Sequence, residues 1–425
     1  MYGWPSYEKS RFQEIDSHAV LAPATLRRTL PALAKYLGTP FNSELQKSRV
    51  IYTWITHNII YDIDSSLKGQ HYPSMEPKDV LLRGSAVSKG YAKLYKAFAD
   101  KMGLQCVTIS GYAKDPTWNG RIPSEINHDW NAVKVDDTWY FIDVTWGSGD
   151  VKGREFIRKF KNIYFLCPED VFFYEHYPAD TNWLPDIWKR KSPPVSLDTW
   201  SRLLRFEEEF LLLELSNSNF SQFESFSDYT TSDSVIDIFF QKRSKKCQAL
   251  AFEYHLYKID INNSIDIKTE VFNSVLIIDG NYTVHVSAAL PDQGEYKLDI
   301  FGKIAESQMS YGKLVSLKIK NIGTGINKTC PKLYPSFYEN KGTTIHSPLY
   351  GPLNDQKNII TEEIFFDFNL PGAINSAINP GWNYLTKSLL EEDRWNNNVA
   401  IQPGNTKLVV KYEEGERFQT IVEWK

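Results

Sequence analysis

Cysteine is scarce in this sequence: Cys106, Cys167, Cys247 and Cys330 are the only four in 425 residues, and none stands in Cys-x-x-Cys spacing. No thiolate metal site is encoded that way, and a reduced, cytoplasmic setting is expected. Sequons at Asn219, Asn262, Asn281 and Asn327 point the other way, and they read as chance occurrences in Asn- and Ser-rich turns and strands. Long apolar runs are missing too. The opening MYGWPSYEKSR has no signal-peptide core and no segment approaches a membrane span, so no membrane association is expected. Basic blocks are missing beyond the short run Lys242-Arg243-Ser244-Lys245-Lys246, which has no interleaved aromatics, and nucleic-acid binding is not expected. The Asp62/Asp64 pair lacks the further oxygen ligands that calcium needs and reads as a polar turn.

What remains is ample material for cores. The chain is 42% hydrophobic and 14% aromatic, with a net charge of -4. Its length exceeds one typical core, so two or three domains are expected.

The region around Leu81 to Met102 organises the first of them. From Ser88 on, Tyr91, Leu94, Tyr95, Phe98, Ala99 and Met102 recur at helical spacing, and Gly103 closes the run. Ser88 is of N-cap type, which puts it where unpaired N–H groups and the positive end of the dipole stabilise negative charge. A nucleophile belongs at such a place, although a capping serine alone is commonly only a cap. Upstream, Leu26, Leu30, Leu33 and Leu37 form a helical stripe stopped at Gly38, and Ser43 with Gln46 makes a capping box for a helix carrying Val50, Ile51, Trp54 and Asn58 on one face.

Downstream, HDWNAVKV from His128, an Asp136-Asp137 turn and TWYFIDVTW read as a β-hairpin. A two-residue loop sets Val135 opposite Thr138 and Trp130 opposite Asp143, which makes His128 and Asp143 diagonal neighbours on one face. Ser88, His128 and Asp143 then form a triad of nucleophile position, base and orienting acid. Cys106, inside a β-rich segment and away from any helix N-terminus, is a poor substitute nucleophile. The segment Lys114 to Asn127 ahead of His128 is long enough for a lid. Trp130 could line the cleft or sit in the core. The Ser88 N–H is the first oxyanion donor, and the end of the Trp54 helix is the suggested source of a second.

With those residues in hand, the chain resembles the transglutaminase-like fold of papain-like cysteine enzymes, and more narrowly the kyphoscoliosis peptidase family. FQEIDSHAVLAP from Phe12, RVIYTWITHNIIYD from Arg49, DVLLRGSAVSKGYAKLY from Asp79, HDWNAVKVDDTWYFIDVTWGSG from His128 and YFLCPEDVFFYEHYPADTNW from Tyr164 carry the resemblance, in order, over the N-terminal part of the chain. One departure decides the expected chemistry. Family members with an intact triad read Val-Cys-x-Gly-Tyr, whereas this chain reads Val87-Ser88-Lys89-Gly90-Tyr91. A thiol of pKa about 8.5 is readily held as a thiolate beside a paired His and a helix N-terminus, but a serine hydroxyl is not held as an alkoxide that way. Serine needs concerted proton removal and an oxyanion hole suited to oxygen.

The resemblance implies an α+β papain-like core over residues 1–190, followed by two β-sandwich, immunoglobulin-like domains at 191–322 and 323–425. The charged Pro-Pro stretch Trp188 to Asp198 marks the first boundary, and a composition break around Gly323 to Pro335 the second. Beyond the first boundary, Ser234–Phe240, Ala249–Tyr257, Val271–Ile278, Tyr282–Ala288, Glu362–Asn369, Lys407–Tyr412 and Gln419–Trp424 read as strands. Gly294-Glu295-Tyr296-Lys297-Leu298 has the pattern of a tyrosine corner, and GEYKLDIFGK and YGPLND match the family's paired β-domains. The function implied is a transglutaminase-like or peptidase-like protein silent in acyl transfer, binding protein partners that by resemblance are cytoskeletal. The competing reading is an active transglutaminase or peptidase acting on a peptide or glutamine-containing protein, through Ser88 or through a native Cys altered to Ser. No cofactor is implied.

Overall fold

The structure is a computed structural model that describes residues 12–67, 73–115, 118, 121–190, 192–216, 229–243, 250–262, 265–271, 275–279, 283–305, 307–325, 331–333, 343–347, 363–379, 381–391, 393–400, 406–415 and 417–424. Cys247, Cys330, the sequons at Asn219, Asn281 and Asn327, the end of the Lys242 run, the YGPLND stretch and residues 116, 117, 119 and 120 of the expected lid lie outside the described residues. The chain divides into two compact units, Met1–Ser201 and Arg202–Lys425.

The first unit is built on helices α1 (Gln13–Val20), α2 (Leu30–Gly38) and α3 (Glu44–Asn58). Pro31 sits in the first turn of α2, where its missing N–H costs nothing. Ser43 and Gln46 cap α3 reciprocally, as their spacing predicts. After β1 (Ile60–Tyr61), helix α4 (Ile63–Leu67) opens on Asp62, whose two carboxylate oxygens accept from the Ser65 N–H and hydroxyl. That is the polar turn expected of the Asp62/Asp64 pair. Helix α5 (Pro77–Arg83), β2 (Ser85–Ala86) and helix α6 (Ser88–Lys101) follow.

On α6 the residues Tyr91, Leu94, Tyr95, Phe98 and Ala99 are buried in one core with Val50, Ile51, Trp54 and Ile55 of α3. Gly90 is a matter of clearance: a Cβ there would lie 2.6 Å from the Ala86 Cβ and 2.9 Å from the Met75 sulfur. A second fastening joins the N-terminal helix to this core. Arg49, 2% exposed, donates from Nε and Nη2 to the two carboxylate oxygens of Asp16 at 2.7 Å each, and Nη2 also reaches Asn162 Oδ1 at 2.7 Å. Thr53 adds a hydroxyl bond to Asp16.

Behind α6 lies an antiparallel sheet of β3 (Cys106–Ala113), β4 (His128–Val135), β5 (Thr138–Ile142) and, after the small hairpin β6 (Gly149–Lys152) and β7 (Glu155–Arg158) and helix α7 (Glu169–Glu175), β8 (His176–Pro178). The strand order is β5-β4-β3-β8. Val135 pairs with Thr138, and Asp136 and Asp137 take φ of 47° and 62°, as in the primed two-residue turns that match strand twist. The register is the one the sequence predicts. The first unit runs through the Pro-Pro stretch: Tyr177 donates to the Val195 carbonyl, and Trp200 Nε1 donates to the Phe173 carbonyl at 2.8 Å.

Among its described residues, the regular structure of the second unit is sheet apart from short helices. One pair comprises a five-stranded sheet (Tyr229–Thr231, Gly312–Asn321, Gly294–Ile304, Leu250–Asn262, Ile265–Val271) and a four-stranded sheet (Val275–Asp279, Thr283–Ala289, Val235–Lys242, Leu215–Ser216). Another comprises five strands around Thr406–Lys411 and four around Glu363–Asn369, with Phe366, Phe368, Ile378, Leu408, Val410, Ile421 and Trp424 in a shared core. The whole chain is α+β with β-rich domains downstream. Tyr296 is fully buried, and its hydroxyl donates to the Asp292 carbonyl at 3.0 Å, which is the expected tyrosine corner. The run Val271–Ile278, expected as one strand, is two: Val271 ends a hairpin strand in one sheet and Val275 begins an edge strand in the other. Apolar β-branched residues on both sides hid that break.

Candidate active site

Ser88 is the first residue of α6, and the N-cap is Val87, in extended conformation at φ -86° and ψ 175°. The expected serine cap is thus corrected by one position: the Ser88 hydroxyl caps nothing, and Val87 turns the chain through its carbonyl, which accepts from Gly90 and Tyr91. The consequence for chemistry is favourable. The Ser88 N–H belongs to the first turn, where helices leave donors unpaired, and the hydroxyl makes no hydrogen bond to a described residue. Ser88 and His128 are each only 7% exposed.

The direction of α6 on the sheet brings those two residues to the same end. Asn131 of β4 donates to the Ala92 carbonyl, one turn into α6, at 3.0 Å, while the other end of β4 meets the chain just past α6 through Lys134 N–H to the Gln105 carbonyl at 2.9 Å. Helix and strand therefore run the same way, and Ser88 and His128 both precede the Asn131–Ala92 contact. On the same turn as Ser88, burial pushes the Tyr91 phenol well above the ordinary range.

His128 Nε2 lies 2.6 Å from Asp143 Oδ2. A carboxylate oxygen only accepts, so Nε2 carries the proton and Nδ1 is the ring nitrogen left to act as a base. Asp143 is fully buried and saturated: Oδ1 accepts from the Thr145 and Trp146 N–H groups at 2.8 and 2.9 Å, and Oδ2 takes His128. Burial alone would raise this carboxyl, but the charge and hydrogen bonds of His128 and His176 outweigh it and hold the group well below the usual carboxylate range. Asp143 is ionised and fixed. The turn that carries it is braced from behind, because a Cβ on Gly147 would lie 2.0 Å from the Tyr52 hydroxyl.

His176 is the member that sequence reasoning missed. Its Nε2 lies 3.1 Å from the same Asp143 Oδ2, its Nδ1 lies 3.1 Å from the Phe172 carbonyl, and it is fully buried. Trp130, also fully buried, flanks both imidazoles, with its ring centroid 6.2 Å from His128 and 5.0 Å from His176. It belongs to the core and walls the site at once. Among the described residues, His128, Asp143 and His176 are also the one His/Cys/Asp/Glu group close enough to suit a metal, with ligand atoms within 4.8 Å. The 2.6 Å separation is that of a shared proton; two ligands of one tetrahedral zinc stand about 3.3 Å apart.

The suggested second oxyanion donor at the end of α3 is not what that end offers. A helix C-terminus presents carbonyls, and here the Ile59 carbonyl accepts from the Tyr91 hydroxyl and from Arg158, while the Asn58 amide is spent on the Trp54 carbonyl. Cys106 is buried and its thiol is pushed up to about 12, chiefly by that burial, so it is no nucleophile at neutral pH.

A model of the transglutaminase-like superfamily matches residues 31–144, a span that includes Ser88, His128 and Asp143. Residues 31–144 are thus transglutaminase-like. Among curated proteins the chain is 30% identical to kyphoscoliosis peptidase of Mus musculus over 203 residues, 47% of this chain and 30% of that protein. It is 25% identical to Hillarin of Drosophila melanogaster over 324 residues, 70% of this chain and 37% of that protein. It is 27% identical to cytokinesis protein 3 of Saccharomyces cerevisiae over 146 residues, 32% of this chain and 16% of that protein. The chain thus spans little more than a third of the length of these relatives at most.

Proposed function

We propose that this protein keeps the frame of a transglutaminase-like acyl-transfer site without its chemistry, and acts by binding protein partners. What supports the reading is a serine at residue 88, at the start of α6, together with a His128–Asp143 pair whose buried carboxylate is ionised and fully hydrogen-bonded. In the family pattern that the sequence resembles, Val-Cys-x-Gly-Tyr, members with an intact triad carry a cysteine at that position. A thiolate–imidazolium pair is ready to attack at neutral pH, whereas a serine must lose its proton during attack. The β-rich domains and the cleft then serve contact with other proteins, through sheet edges and faces. The similarity to a protein named for cytokinesis supports partners of a cytoskeletal kind, in the cytoplasm.

Restoring the sulfur tests the frame. In Ser88→Cys, residue 88 is expected to react at neutral pH with an iodoacetamide-type probe far faster than an ordinary thiol, and Ser88→Cys/His128→Ala is expected to lose that advantage. Equal, slow labelling of both would mean that no reactive frame exists. The unaltered chain is expected to show no turnover of a glutamine-containing peptide and no capture by a fluorophosphonate. Capture at Ser88 would favour the second reading, a serine acyl-transfer enzyme, which the unpaired first-turn N–H of α6 and the retained base make chemically coherent.

A further inference from the structure

We propose that His176 is a positioning residue of this site: it shares Asp143 Oδ2 with His128, and the proton on its Nε2 sets how much of that carboxylate His128 keeps. The inference rests on the reading of Ser88, His128 and Asp143 as an acyl-transfer frame, and extends it to a fourth side chain.

The argument is one of donors and acceptors. His176 Nδ1 faces the Phe172 carbonyl at 3.1 Å, and a carbonyl only accepts, so that nitrogen is a donor. His176 Nε2 faces a carboxylate oxygen at 3.1 Å, which also only accepts. A neutral imidazole owns one N–H and satisfies one of the two contacts, leaving a lone pair against oxygen at the other. The imidazolium satisfies both. The ring cannot turn away to escape the mismatch, because it stacks on Phe172 at 3.9 Å and 11° and is wedged against Trp130 at 5.0 Å and Trp146 at 4.6 Å.

Two effects oppose each other at this ring. Burial disfavours the charged form and the Asp143 contact favours it, with burial the larger, so His176 takes its second proton below the ordinary histidine range. The groups facing it are Asp143 and His128 from the hairpin, the Phe172 carbonyl from α7, and its chain neighbours Glu175 and Tyr177; Glu175 accepts from the Tyr164 hydroxyl at 3.3 Å. Lys161 is paired with Asp150 at 2.6 Å, and the Lys114 backbone N–H holds the carbonyl of Glu175, the residue before His176. At neutral pH the negative charge of Asp143 serves His128. As pH falls, His176 takes a charge against the same oxygen and competes with His128 for it.

The test reads the rings directly, in the chain with Ser88 in place. With 15N-labelled histidine and assignment by single His→Gln variants, the ring signals of His128 and His176 are followed against pH. The expected result is a coupled titration in the unaltered protein, with the His128 signals moving in two steps, the more acidic of which coincides with His176. In His176→Gln, which keeps a donor toward Asp143 but takes no proton, His128 titrates in one step. In His176→Phe, which keeps the stacked ring and removes the donor, that step moves to higher pH by about half a unit or more. His128 curves that superpose in all three proteins would overturn the proposal and leave His176 a packing residue. If His176→Phe does not fold, the comparison of the unaltered chain with His176→Gln still decides. No turnover enters this readout, so an inert Ser88→Cys would sink the acyl-transfer frame without touching the shared carboxylate, and superposing curves would do the reverse.

Discussion

Asn131 Nδ2 donates to the Ala92 carbonyl at 3.0 Å and to the Val107 carbonyl at 3.2 Å, so one buried amide ties the strand that begins at His128 to the helix that begins at Ser88. Replacing Asn131 by Leu removes both of these buried hydrogen bonds, at a cost of about 1–3 kcal/mol. The urea midpoint is expected to fall accordingly. In a Ser88→Cys background the labelling rate is expected to drop further than the stability loss explains, because helix and strand lose their shared reference point. A labelling rate unchanged beside a lowered midpoint would show the amide to be structural alone.

Gly90→Ala weighs two effects of opposite sign. Alanine gains up to about 1 kcal/mol of helix propensity, but its methyl would meet the Ala86 Cβ at 2.6 Å and the Met75 sulfur at 2.9 Å. Ala86 is held in a strand paired to Ile60–Tyr61 and has no room to give. Overpacking of this kind costs about 1–3 kcal/mol, so net destabilisation is expected by thermal unfolding, with α6 pushed off its seat at the Ser88 end.

Stability is expected to fall with acid in two stages. His176 is depressed in the folded chain, so between its lowered value and the ordinary value near 6.5 the unfolded state binds more protons, and stability drops as pH falls through that window. Asp143 is depressed as well; its contribution is whole above the ordinary carboxylate value near 4 and is lost as pH falls below it. Urea midpoints measured from pH 7 downward are expected to show both declines. The first is expected to vanish in His176→Gln.

Cys106 and Cys167 are both buried. The thiol of Cys106, pushed up to about 12, is expected to stay unmodified by iodoacetamide at pH 8 in the folded protein and to react once urea unfolds it, by mass spectrometry of the digested chain. Fast native-state reaction at residue 106 would contradict its burial.

Where the sequence was legible, short-range counting sufficed. The Asp136-Asp137 turn fixes the hairpin register, and that register alone places Asp143 diagonal to His128, as found at 2.6 Å. The cap at Ser43 and the tyrosine corner at Tyr296 are likewise local patterns with one geometric outcome. His176 was not legible. Its strand is three residues long, too short to show alternation, and it reaches Asp143 by pairing with β3, far away in sequence. A histidine among Phe172, Phe173, Tyr174 and Tyr177 reads as one more ring in a core. The division at Val271–Val275 escaped for a related reason, since strands of two different sheets share one apolar vocabulary. The N-cap shifted to Val87 because backbone conformation, and not side-chain type, chose the helix start.

The Arg49–Asp16 clamp bears on how this unit can be cut. Arg49 is interior and its carboxylate partner is supplied from the far side of a loop, by α1. The family match begins only at residue 31, which invites trimming to that point. A polypeptide trimmed there would keep a guanidinium sealed among Phe12-free aromatic rings with its counter-ion gone, a loss of about 3–5 kcal/mol, and would be expected to come out of expression insoluble however faithfully it preserved the three triad positions.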